Sequence, residues 1–414
     1  MSDENLPFDS AKLDKLAEVA IQVGLNLQEG QELILTGPVE ALPLVRRIAA
    51  EAYKAGATDV TTFLSDEALT LAKYEHGSDA SFDKAPNWLF NGMAEAFDDN
   101  AARMAISASN PMLLSGQDPA KVARAGKANS KAAKPAMERV TGFNVNWNIV
   151  SYPGKAWAMQ VFPDLPADEA VEALAEAIFA ASRVDCDDPV GNWAAHDATL
   201  HERQDWMNAQ NFDALHFTGP GTDLTVGLAD GHRWVGGSSV AKNGVSCIAN
   251  MPTEEIFTTP HSQRVNGTAR ASKPLVHQGT LISDIEVRFE QGKIVQATAS
   301  EGEEVFRELI ASDEGASRLG EVALVPHSSP ISQSDILFFN TLYDENAACH
   351  IAQGQCYEEC MSEEMQNDKA AIRSAGGNES IIHVDWMIGG PEMDIDGVRK
   401  DGSRVPLFRK GEWV

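Results

Sequence analysis

Basic residues are scarce in this chain. Lysine and arginine number 33 against 61 aspartates and glutamates, a net charge of −28. Such a surface repels phosphate backbones and anionic lipid, so neither nucleic acid nor a membrane is an expected partner. No apolar run approaches the roughly 20 residues needed to span a bilayer. The opening stretch, MSDENLPFDSAKLDKL, is acidic and lacks the basic and apolar regions of a secretory leader. A cytoplasmic location is the expectation.

Cysteine is also rare. The five, Cys186, Cys247, Cys349, Cys356 and Cys360, are an odd number in a long chain and read as reduced thiols. Cys356 and Cys360 are close in sequence, and Cys349 precedes His350. No C-x2-C pair exists, however, which disfavours a thiolate zinc site. Glycine-rich phosphate loops are missing as well. Thr36-Gly37-Pro38-Val39-Glu40 follows the first expected strand and carries neither GxGxxG nor GK[ST]. A nucleotide-binding Rossmann domain is therefore a poor reading, and the first half reads as scaffold or oligomer interface.

What is present is a change of rhythm along 414 residues, enough for at least two cores. Up to about residue 190, helix-spaced and strand-like segments alternate. The apolar spacing predicts helices over 11–27, 41–55, 66–76, 119–140 and 167–183, and strands over 32–36, 59–65, 105–109 and 144–151. This predicts an N-terminal α/β domain, residues 1–190, with a largely parallel sheet. The turn-rich CDDPVGN, Cys186–Asn192, is the expected linker. Residues 191–414 form a strand-rich α+β domain, with hairpin chemistry at Gly219-Pro220-Gly221, Asp230-Gly231 and Gln291-Gly292.

The chemistry-bearing residues lie in this second half. His383 and Asp385, separated by Val384, share one face of an extended strand and make half of a divalent-metal site. Glu321 heads the apolar run VALV and is expected to be partly buried, with Arg318 as the nearest basic partner in sequence. Glu345 and His350 flank the small residues of DENAACHIA, read as a tight turn into a helix that Asp344 is placed to cap. Glu254 and Glu255 precede the strand-like IFTT, with one carboxylate expected to turn inward. Glu255, Glu321, Glu345, His350, His383 and Asp385 together are too many ligands for one tetrahedral zinc. They suit two divalent ions sharing a bridging carboxylate, with Zn, Co or Mn favoured and Mg tolerated.

NMPTEEIFTTP, LGEVALVP, TLYDENAACHIA with Tyr357 downstream, and IIHVDWMIGG occur in that order, together with GTDLTVGL and RVNGTA. In this the chain resembles the thermophilic-type metalloaminopeptidases, peptidase family M29, over essentially its whole length. The resemblance implies a dinuclear metal centre in a C-terminal catalytic domain, a homodimer, and release of N-terminal amino acids from peptides with a free N-terminus. It assigns the metal ligands to Glu255, Glu321, Glu345, His350, His383 and Asp385, with a role outside the direct ligands also fitting Glu345. Tyr357 matches the family's catalytic tyrosine, expected to donate to the oxyanion. Glu254 and Glu321 are the two candidates for general base. Two other classes share the residues: a different dinuclear hydrolase, such as a dipeptidase or amidase, and a non-catalytic metal-stabilised binding protein.

Overall fold

A computed structural model describes residues 6–108, 110–277 and 279–414. The chain divides into two compact units. The first comprises residues up to His196 together with Ser238–Pro252; the second comprises Asp197–Gly237 and Thr253–Val414.

The first unit is built on a four-stranded parallel sheet: β1 (Glu32–Pro38), β2 (Asp59–Ser65), β3 (Ala102–Ser107) and β4 (Trp147–Ser151), in the order β2-β1-β3-β4. Parallel neighbours need crossovers, and the helices Leu42–Lys54, Asn87–Asp98 and Pro119–Thr141 lie between successive strands in sequence. Ile34 packs with Met93, Phe97, Ala136 and Val140 in a buried cluster that ties sheet to helices. The helix Leu42–Lys54 ends where Gly56, at φ +97°, takes the left-handed conformation that terminates helices. The strand expected over 105–109 runs instead over Ala102–Ser107, and Ser109 lies outside the described residues.

The expected linker is largely a helix start. Pro189 opens a helix that runs to Gln210, and the carboxylate of Asp188 accepts from the N–H of Gly191 at 2.9 Å. Proline in the first turn behind an aspartate cap is a helix signal as much as a turn signal.

The second unit holds two larger antiparallel sheets. The eight-stranded one includes the hairpin Glu286–Glu290/Lys293–Thr298, whose turn places Gln291 and Gly292 at φ +50° and +79°. The five-stranded one carries the functional residues. Its strands are β5 (Val235–Gly236), β6 (Ile256–Thr258), β7 (Leu319–Leu324), β8 (His350–Gly354) and β9 (His383–Met387), in the order β9-β8-β7-β6-β5.

The register of this sheet decides what faces what. Glu321 pairs with Ala352, and Ala352 with Asp385. His350 pairs with Ala323 and Met387, and His383 with Gly354. Phe257 pairs with Ala323. Directly opposed residues share a face, and so do alternate residues along a strand. Phe257, Glu321, Ala323, His350, Ala352, His383, Asp385 and Met387 therefore stand on one face. The intervening Ile256, Val322, Leu324, Ile351 and Trp386 are buried on the other, within the unit's large apolar core. Burial of those five fixes the register, because a slip of one residue would put them on the polar face.

Candidate metal centre

Every expected ligand is delivered by a strand of this sheet or by the turn beside one. Glu255 immediately precedes β6, two residues before Phe257. Glu321 lies in β7, His350 opens β8, and His383 and Asp385 lie in β9. Between them on the same face stand Ala323, Ala352 and Gly354, whose small side chains leave room above the sheet. The segment after Glu345 is a single 3₁₀ turn, Glu345–Ala347, that enters β8. The expected helix at His350 is thus a strand. Asp344 caps no following helix; its carboxylate accepts from the N–H groups of Phe338 and Asn340 at 2.7 and 2.9 Å.

The side chains converge into two groups that share Glu321. One is Glu255, Glu321 and His350; the other is Glu321, His383 and Asp385. Glu321 reaches toward both imidazoles with different oxygens: Oε1 is 3.7 Å from Nε2 of His350, and Oε2 is 3.2 Å from Nε2 of His383. Glu255 Oε2 lies 3.0 Å from His350 Nε2, and Asp385 Oδ1 3.5 Å from His383 Nε2. Arg318, the expected partner of Glu321, is engaged elsewhere, donating to the carbonyls of Ser262 and Gln291 at 2.7 and 3.1 Å.

Both imidazoles are turned the same way by backbone carbonyls. Nδ1 of His350 is 3.1 Å from the oxygen of Ala348, and Nδ1 of His383 is 2.7 Å from that of Gln355. A carbonyl only accepts, so Nδ1 carries the proton and Nε2 points its lone pair at the carboxylates whenever the ring is neutral. This is the arrangement that orients metal-binding histidines. Composition and periodicity give no sign of these carbonyls, nor of Asn346, whose Oδ1 accepts from the N–H of Glu254 at 2.7 Å.

The electrostatics are those of a crowded anionic site. Burial lowers the pKa of His350, but the carboxylates of Glu255 and Glu321 beside it outweigh that and raise it well above the ordinary imidazole value. Burial acts the same way on His383 and is overcome by Asp385 and Glu321. Burial, then the fields of Glu255 and Asp385, push the Glu345 carboxyl well above the usual carboxylate range. Glu255 is raised as well, chiefly by burial. Asp385 is lowered: burial opposes its ionisation, but His383 prevails.

The donor set fits divalent ions. Glu255 Oε2, His383 Nε2 and Asp385 Oδ1 are buried and make no well-directed hydrogen bond within the protein. Buried polar atoms left in this state are costly unless something else binds them. Two imidazole nitrogens among carboxylate oxygens match zinc, cobalt or manganese better than a thiolate site would. No cysteine joins either group among the described residues. Cys349 faces the core and exchanges hydrogen bonds with Val325, and burial pushes its thiol up to about 11.

Three of the expected residues belong to neither of the two groups. Glu345 is half-buried beside them. Glu254 is buried, with 4% of its surface exposed. Tyr357 is 41% exposed, and its ring lies 4.6 Å from the imidazole of His383 and 5.9 Å from the ring of Phe257. Desolvation of the phenol, and then the negative fields of Glu321, Asp385, Glu345 and Glu255, hold its pKa well above the ordinary value.

The profile of the thermophilic metalloprotease (M29) family matches residues 9–413. The chain belongs to the M29 family. Aminopeptidase T of Thermus thermophilus is 53% identical over 402 residues, covering 97% of this chain and 98% of that protein. Aminopeptidase 2 of Geobacillus stearothermophilus is 43% identical, with 97% and 98% covered, and aminopeptidase AmpS of Bacillus subtilis 42% identical, with 98% and 99% covered. The solved structure of wild-type AmpT from Thermus thermophilus superposes with a TM-score of 0.93 at 52% identity, over 98% of this chain and 99% of that one. The mixed α/β and strand-rich architecture is therefore that of an M29 enzyme, and M29 membership implies use of divalent metal.

Proposed function

We propose that this chain is a metalloaminopeptidase that removes the first residue from peptides with a free N-terminus, using two divalent ions held on the site face of the five-stranded sheet. The observation that carries the dinuclear reading is Glu321, which turns one oxygen toward each imidazole and is common to both donor groups. Glu255 and His350 would complete one position, and His383 and Asp385 the other. Bound there, such ions would supply Lewis acidity and lower the pKa of a water.

The protein's own groups do the rest. The carbonyls of Ala348 and Gln355 keep both Nε2 lone pairs directed into the site. Tyr357, held protonated, donates its O–H to the oxygen that gains charge as the peptide carbonyl is attacked. Glu254, adjacent to Glu255 in sequence, is our candidate to accept a proton from the attacking water. Glu345 either completes a metal position or receives the substrate's α-ammonium. The second unit carries this chemistry, the first serves as scaffold or in assembly, and the expected assembly is a homodimer.

Hydrolysis of leucine anilide by metal-reloaded protein, set beside its N-acetylated counterpart, tests the reading. Turnover of the free amine alone is expected. Equal turnover of the acetylated compound would contradict it and point to a different metallohydrolase.

A further inference from the structure

Beside the donor groups lies a small recess, open to solvent. Its lining is mixed: Asp344, Glu345 and Asp385 bring carboxylates, and Leu275, Val276, Phe339 and Met387 the apolar side chains. Met387 follows Asp385 by two residues in β9 and shares its face. Two residues along a strand span roughly 6.6 Å, comparable to the reach of a mid-sized side chain from its α-carbon.

Phe339 is the unusual member of this lining. Its φ is +54°, the left-handed region that bulky residues rarely enter. Asp344 accounts for it. Its carboxylate accepts from the N–H groups on both sides, Phe338 at 2.7 Å and Asn340 at 2.9 Å. Phe338 is anchored in turn by stacking on Tyr343, with ring centroids 4.6 Å apart. The loop is thus clamped at both flanks, and the residue carrying the backbone cost lines the recess. Local strain sustained by its surroundings is characteristic of functional positions.

We propose that this recess takes the side chain of the substrate's first residue, and that Phe339 sets its size limit. The proposal rests on the aminopeptidase reading above. The apolar side chains that line it favour leucine- or methionine-sized residues, and the carboxylates among them disfavour aspartate and glutamate.

The test is a series of aminoacyl anilides (Ala, Leu, Met, Phe, Asp and Lys) with metal-loaded wild type, Phe339→Gly and Val276→Phe. Glycine removes the ring and also suits the positive φ, so this variant is expected to fold; thermal unfolding verifies both. For wild type, kcat/KM is highest for Leu and Met. The Phe-to-Ala ratio of kcat/KM should rise about tenfold in Phe339→Gly and fall by a similar factor in Val276→Phe. Ratios within twofold of wild type in both variants, or a wild-type preference for Asp or Lys, would overturn the recess assignment while leaving the aminopeptidase reading intact. Wild type inactive on every free amine would instead overturn the reading, and the assignment with it.

Discussion

Oε2 of Glu321 lies 3.2 Å from Nε2 of His383, although the two residues are 62 positions apart in sequence and on strands separated by β8. The contact is possible because Ala352 lies between Glu321 and Asp385 in one cross-strand row. With only a methyl group there, the carboxylates of Glu321 and Asp385 can come together with the imidazole of His383 above it.

Glu321→Gln should therefore affect both metal positions at once. We expect kcat/KM to fall by more than about a hundredfold, with loss of bound metal rather than loss of fold. Metal analysis beside circular dichroism checks this; unchanged metal content would show that Glu321 is not shared.

Ala352→Leu should empty the site from below. The side chain points to the site face, so the apolar core behind the sheet is untouched. Metal content and activity should fall together while the unfolding temperature of the metal-free protein changes little. A large drop in that temperature would mean that the residue packs in the core instead.

Tyr357→Phe separates chemistry from binding. Tyr357 is 41% exposed and belongs to neither donor group, so metal content should hold while kcat falls on the order of a hundredfold. Equal loss of metal and activity would defeat the assignment.

Metal uptake should release protons. Without metal, His350 and His383 have pKa values raised well above the ordinary imidazole value by the carboxylates beside them, so the rings hold protons that a metal must displace. Ions compete with those protons, and apparent affinity should rise with pH. In the metal-free protein the sign for stability is opposite. A histidine with a raised folded pKa stabilises fully below its unfolded value of about 6.5, and that contribution is lost as pH rises through the folded pKa. Calorimetric titrations in buffers of differing ionisation enthalpy measure the protons released; none at pH 7 would contradict these shifts.

Much of the site was legible because its strands obey a period of two. In Glu321-Val322-Ala323-Leu324 and His383-Val384-Asp385-Trp386, polar or small residues alternate with large apolar ones, and the alternation survives as site face and core face. His350 was misread as entering a helix: the alanines around it favour helix locally, and pairing with β7 and β9 overrides that preference. Arg318 was the nearest base in sequence to Glu321, but sequence proximity said nothing of the carbonyls that hold it. The helix Pro189–Gln210 was hidden by its polar surface. Its buried Trp193, Leu200 and Met207 recur every seven residues, a spacing that would have revealed it.

The most direct test of the dinuclear centre is the metal stoichiometry of stripped protein reloaded with cobalt or zinc, followed alongside hydrolysis of leucine anilide. The account predicts two ions per chain, return of activity with loading, and loss of both ions in Glu321→Gln. Full activity after stripping, or full activity at one ion per chain, would contradict it.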